Sequence, residues 1–175
     1  MKKLFALSLS CLTIMTCFVG CGDDDDDGSK KSGPDAAVEA LLEAGTSKNG
    51  GKKYYTYQYP ESYIKELKED DEWDELIEDF NDNRADVLED CKITVKDVKK
   101  GDKLDDDTLK SAESYFESRY DADVKITEGY EYKVKIQYQS DEEKETNVEK
   151  VCAVKLKDEG WKVILDDADY ISSHY

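Results

Sequence analysis

The side chains able to do chemistry are few, and their spacing suits little of it. Cysteine occurs at positions 11, 17, 21, 91 and 152, and the one histidine, His174, stands next to the C-terminus. A metal centre needs three or four such ligands converging on one point, and this set does not supply them. No metal and no cofactor is therefore expected. General acid–base catalysis needs a positioned His or carboxylate. Here 43 Asp and Glu residues are so abundant that spacing singles none out. A serine nucleophile elbow, a phosphate-cradling glycine loop and paired metal-binding histidines are all missing from the sequence. The aspartate runs 23–27 and 105–107 lack the alternating ligands and turn glycine of a calcium loop. They read as solvated.

Two kinds of chemistry remain. Outside a reducing compartment Cys91 and Cys152 could form a disulfide. Both also fall on apolar strand faces, where two buried thiols serve equally well as small core side chains. The bridge requires Cα atoms within roughly 7 Å, and the sequence does not fix the strand neighbours. The second kind is recognition by aromatic rings. Tyr combines a flat apolar body with a polar tip, which suits a sugar or a peptide. Tyr130, Tyr132, Tyr138 and Trp161, with Phe116 from a neighbouring helix, form a candidate ligand pocket. Tyr54, Tyr55, Tyr57 and Tyr59 form a second cluster, which the packing rim between a helix and a sheet explains as well.

At the start of the chain Lys2 and Lys3 precede an apolar run from Leu4 to Val19, the basic and hydrophobic regions of an export signal. The run falls short of the ~20 residues needed to span hydrocarbon. It closes on Phe18-Val19-Gly20-Cys21, which resembles the lipobox of bacterial lipoproteins. That resemblance implies cleavage before Cys21 and a diacylglyceryl group on its thiol. Two acyl chains give stable attachment where one gives only marginal binding. It also implies export, with the protein anchored to the outer face of the cytoplasmic membrane.

The chain carries 25 basic residues against its 43 acidic ones, a net charge of −18. The sign argues against nucleic acid as a partner, because phosphate binding needs the opposite one. An anionic headgroup surface is expected to repel the domain, leaving the lipid as the membrane contact. Residues 1–20 thus read as signal peptide. Residues 21–33 carry the lipidated cysteine and a flexible acidic linker without apolar side chains, and residues 34–175 make one domain.

The elements that would position the aromatic residues follow from periodicity. Pro34 with Asp35 opens a helix, with Val38, Leu41 and Leu42 on one face, and Asn49-Gly50-Gly51 ends it. Lys52 to Tyr59 could be extended, with a helical turn as the alternative. Pro60-Glu61 opens another helix, and Trp73, Leu76, Ile77, Phe80 and Arg84 mark an amphipathic helix of about three turns. A strand runs from Asp90 to Val98, with a turn at Lys100-Gly101-Asp102. Leu109, Ala112, Tyr115, Phe116, Arg119 and Tyr120 mark the clearest helical stripe. The last third reads entirely as strand: Val124 onward, with a bend at Gly129, then Tyr130 to Tyr138, a return strand with Val148, Cys152, Val154 and Leu156 inward, and a final strand from Trp161 to Leu165. The class is α+β, with N-terminal helices and one further helix packed on a curved antiparallel sheet.

That order, with the Tyr59-Pro60-Glu61 helix start and the closing Gly160-Trp161-Lys162-Val163-Ile164 strand, resembles the cystatin-like fold of the nuclear-transport-factor-two-like superfamily. Small lipoproteins of Gram-positive type often share it. The resemblance implies a sheet wrapped around a helix into a conical pocket. Enzymes of the superfamily place an Asp and a His or Tyr in that cone. His174 lies outside it, and only a carboxylate beside Tyr132 or Tyr138 could stand in. The expectation is a non-catalytic module binding a small ligand or a protein. The alternative is an accessory of a cell-envelope complex, engaged through the acidic helices Glu61 to Glu78 and released by salt.

Overall fold

The computed structural model describes residues 33–175. The export signal, Cys21 and the linker as far as Ser32 lie outside the described residues. The elements in order are α1 (Pro34–Thr46), α2 (Gly51–Gln58), α3 (Glu61–Glu69), α4 (Glu72–Asp90), β1 (Lys92–Lys103), α5 (Asp106–Tyr120), β2 (Ile126–Gln139), β3 (Lys144–Leu156), β4 (Gly160–Ile164) and α6 (Ala168–His174). The strands form one open antiparallel sheet in the order β1-β2-β3-β4. The class is α+β, as the sequence predicts. Among the described residues no helix is long and apolar enough to cross a membrane.

Pro34 stands at the start of α1, where its missing N–H leaves no helical bond unmade. The next helix begins where two other helices come close. A Cβ on Gly50 would land on the Ala44 carbonyl, and one on Gly51 would come within 2.9 Å of the Ile77 carbonyl oxygen. Two glycines thus let α2 start against both α1 and α4. The Gly51 N–H donates to Asn81 Oδ1 at 2.9 Å, which fixes that contact. The extended reading of Lys52 to Tyr59 gives way to this helix. Tyr54 and Tyr57, three apart, are both buried, and Tyr55 stacks on Tyr59, four apart, at 5.0 Å. Helical spacing outweighs the strand preference of tyrosine.

Other boundaries also move. Helix α4 runs to Asp90, with Cys91 as its C-cap, so the first strand starts two residues later than expected. It also continues through the expected turn at Lys100-Gly101-Asp102 to Lys103, taking a register shift between Lys100 and Lys103. Gly129 does not break its strand but pairs with Val154. After β4 the chain is not all strand, since α6 follows, with the Asp167 side chain accepting from the Tyr170 N–H.

Burial in β3 explains the layering. Val151 and Ala153 belong to one apolar cluster with Tyr132, Val134, Ile136 and the α1 residues Val38 and Leu41. Cys152, Val154 and Leu156 belong to another with Ala112, Tyr115 and Phe116 of α5 and Ile171 of α6. Helices therefore cover both faces of the sheet at its β3–β4 end. A smaller cluster, Ile64, Leu67 and Trp73, joins α3 to α4.

The start of α5 gives a pH-dependent contribution. Asp105 accepts the Thr108 N–H at 2.8 Å. Chiefly that backbone bond holds its carboxyl below the usual carboxylate range. A depressed folded-state value means stability that is complete above the unfolded carboxylate value of about 4 and is lost as pH falls through the folded one. Asp105→Asn, which keeps a neutral cap, is expected to flatten the acid limb of a stability-against-pH curve while leaving the fold intact. An acid limb as steep as in the parent would remove this account.

Candidate functional site

The five aromatic residues expected to line a pocket do not share one. Tyr130, Tyr132, Tyr138 and Trp161 belong to the α1-covered side of the sheet, whereas Phe116 belongs to the opposite cluster. Tyr132 is 1% exposed and Trp161 7%, so both serve as core. The Tyr132 hydroxyl donates to Asp35 Oδ1 at 2.9 Å. Burial first, and that bond second, push the phenol well above its ordinary value. Tyr130 lies with its ring centroid 6.1 Å from that of Trp161, and Lys100 Nζ sits 3.6 Å from the Tyr130 ring centroid. Its hydroxyl donates to Glu128 Oε1 at 2.7 Å. The Tyr130 and Tyr132 hydroxyls are thus both spent on carboxylates.

The disulfide expectation resolves in the same way. Cys91 and Cys152 are both free, and they pack against different clusters. Cys152 is fully buried, and desolvation pushes its thiol up to about 12. Cys91 is only half-buried. In native protein a thiol reagent is expected to modify Cys91 first and to reach Cys152 only on unfolding. Equal rates at both positions would contradict this burial.

A concave site does exist, at the edge where the short β4 ends. It is a cleft of about 590 Å³. The C-terminus of α2 supplies Gln58, and Tyr59 caps it. The last turns of α5 supply Tyr115, Arg119 and Tyr120. Glu149 and Lys150 come from β3, Val163 from β4, Leu165, Asp166 and Asp167 from the segment that follows, and Tyr170 from α6.

Its rings are locked by one another: Tyr59 lies 5.1 Å from Tyr120, and Tyr120 meets Tyr115 edge-on at 6.1 Å. Burial is the largest cause raising the Tyr59, Tyr115 and Tyr120 phenols above their ordinary value, which keeps them protonated. They present hydroxyl donors rather than a nucleophile.

Two groups in the cleft have capacity to spare. The Gln58 amide nitrogen is buried without a hydrogen-bond partner, a state that costs free energy unless something accepts from it. Arg119 donates from Nε to the Tyr175 hydroxyl at 3.2 Å, and its guanidinium lies 5.3 Å from the Tyr115 ring centroid. Its terminal nitrogens make no hydrogen bond among the described residues. Lys150 is held by Glu131 at 3.2 Å and Asp169 at 3.8 Å. Among the described residues no group of three or more His, Cys, Asp or Glu could hold a metal.

Sequence spacing placed Tyr115, Arg119 and Tyr120 on the α5 stripe. It could not show that the end of that stripe faces α2, nor that α6 would close the far side. Comparison of the chain with protein-family models, with curated proteins and with solved structures returns no match.

Proposed function

We propose that the protein is an exported lipoprotein, held by a diacylglyceryl group on Cys21 to the outer face of the cytoplasmic membrane, whose domain binds a small polar ligand without transforming it. The observation that carries the binding half is the tyrosine-walled cleft with the unpartnered Gln58 amide and the available Arg119 guanidinium. Paired acidic and basic side chains with aromatic walls suit a molecule with hydroxyls or both charges, such as a sugar or a short peptide. The lipid half stands on the lipobox residues Phe18 to Cys21. The finer fold assignment, a cystatin-like domain of the nuclear-transport-factor-two-like kind, is part of the proposal. Element order and the register shifts that bend β1 and β2 support it.

The test is a calorimetric screen of oligosaccharides and short peptides, followed by variants. Arg119→Ala and Gln58→Leu are expected to weaken any hit about tenfold or more. Tyr132→Phe is expected to cost about 1 kcal/mol of stability through its lost bond to Asp35, with affinity unchanged. Lost affinity in Tyr132→Phe alone would return the site to the sheet interior. Lipidation is read separately, by mass on Cys21.

A further inference from the structure

The strand register builds a surface that the net charge hides. Directly opposed residues in an antiparallel pair point to the same face. Lys99 opposes Lys133, and Lys133 opposes Lys150, so three lysines lie in a row across three strands. On the same face Asp97 opposes Lys135, which opposes Val148, and Lys92 opposes Gln139, which opposes Lys144.

This half of the sheet is open. The alternate residues Ile93, Val95, Tyr132, Val134 and Ile136 are buried on the other side. The cover from α5 and α6 lies over the Cys152, Val154 and Leu156 end. Val148, expected inward from its spacing with Cys152, is instead 64% exposed, because it stands beyond that cover.

The six lysines meet few counter-charges. Lys99 pairs with Asp97 at 3.3 Å and Lys150 with Glu131 at 3.2 Å. Lys92, Lys133, Lys135 and Lys144 make no ion pair among the described residues. Like charges directly opposite destabilise a sheet, so the row at Lys133 is a cost that an external anion would relieve. The acids of the β2–β3 loop, Asp141 to Glu143, border the patch at one end. The acidic helix α4, whose Phe80, Val87 and Leu88 pack against the other side of the sheet, puts its negative charge on the opposite layer.

We propose that this lysine face docks on an anionic lipid bilayer. A protein interface is depleted in Lys and centred on aromatic and Arg anchors; this face has neither. Single-stranded nucleic acid needs stacking rings, and none lies among these positions. Long flexible stems ending in ammonium groups, around one exposed valine on an open sheet face, match the diffuse negative layer of lipid headgroups. The expected repulsion between the acidic domain and such a surface holds for the helices, α5 and α6 beside this face included, and reverses over the open half of the sheet. The inference draws on the proposed tether only to bring the face near the membrane.

Lysine acylation read by mass spectrometry tests it on the full chain. The vesicles are phosphatidylcholine alone, or phosphatidylcholine with about 30% phosphatidylglycerol. On anionic vesicles, modification of Lys92, Lys133, Lys135 and Lys144 is expected to fall about threefold or more relative to Lys65 of α3. The protection should vanish near about 0.5 M salt and in the double variant Lys133→Glu, Lys135→Glu.

Equal modification on both vesicle types overturns the inference whatever the state of Cys21. Protection by polyglutamate but not by anionic vesicles overturns it in favour of an acidic protein partner. Failure to partition onto phosphatidylcholine alone would count against the lipid tether, and leaves the reading on anionic vesicles to decide the face.

Discussion

Lys162→Ala is expected to destabilise the domain by about 3–5 kcal/mol, the cost of breaking one side of a buried charged contact. Lys162 is 1% exposed, and its ammonium donates to the Thr56 carbonyl of α2 at 3.0 Å. It also stands 3.9 Å from Glu159 Oε2. That same carboxylate oxygen accepts the Glu61 N–H at 2.8 Å, at the start of α3. One lysine in β4 and one glutamate in the preceding turn therefore fasten the α2–α3 corner to the sheet.

Truncation would take the counter-charge from Glu159, leave the Thr56 carbonyl without the ammonium and open a cavity. Lys162→Met fills the space without a charge, and is expected to lose markedly less. Urea unfolding at constant slope measures both. Similar losses in the two variants would assign the effect to the lost charged contacts, with volume contributing little. Because the corner carries Gln58 and Tyr59 into the cleft, Lys162→Ala should also reduce binding of any cleft ligand in the protein that remains folded.

Phe116→Ala is expected to cost about 3–5 kcal/mol, in the range of large aromatic truncations in cores. The side chain is 0% exposed and meets the Tyr115 ring edge-on at 5.5 Å. A pocket residue, by contrast, would lose affinity with little change in stability. A denaturation midpoint near that of the parent, with ligand binding abolished, would restore Phe116 to a binding role.

The pattern of strands and helices was legible where one face is buried and the other wet. Tyr132, Val134 and Ile136 alternate with exposed Lys133 and Lys135, and period two identifies such a strand directly. β3 is harder, because Val151 to Val154 are buried on both sides. A continuous apolar run does not reveal that a second helical layer lies above it. Helix α2 escaped because four tyrosines in its neighbourhood favour strands in isolation, and only the approach allowed by Gly50 and Gly51 makes the helix the better packed state. The cleft was not legible at all. Its walls come from α2, α5, β3 and α6, elements whose neighbours are fixed by tertiary contacts rather than by any local spacing. The lysine face was present in the sequence as alternate positions, but only the register reveals that Lys99, Lys133 and Lys150 stand side by side.

β1 forms one outer border of the sheet, twelve residues long. Such a border offers a row of backbone amides and carbonyls to any passing extended chain. Wherever identical molecules are concentrated, stacking border to border would be a constant hazard. Lys92, Lys96, Lys99, Lys100 and Lys103 lie along this strand, so two copies meeting there would press like charges together. Two of these side chains, Lys92 and Lys99, also stand on the lysine face, so one set of charges would serve the molecule twice by guarding it against polymerising with itself.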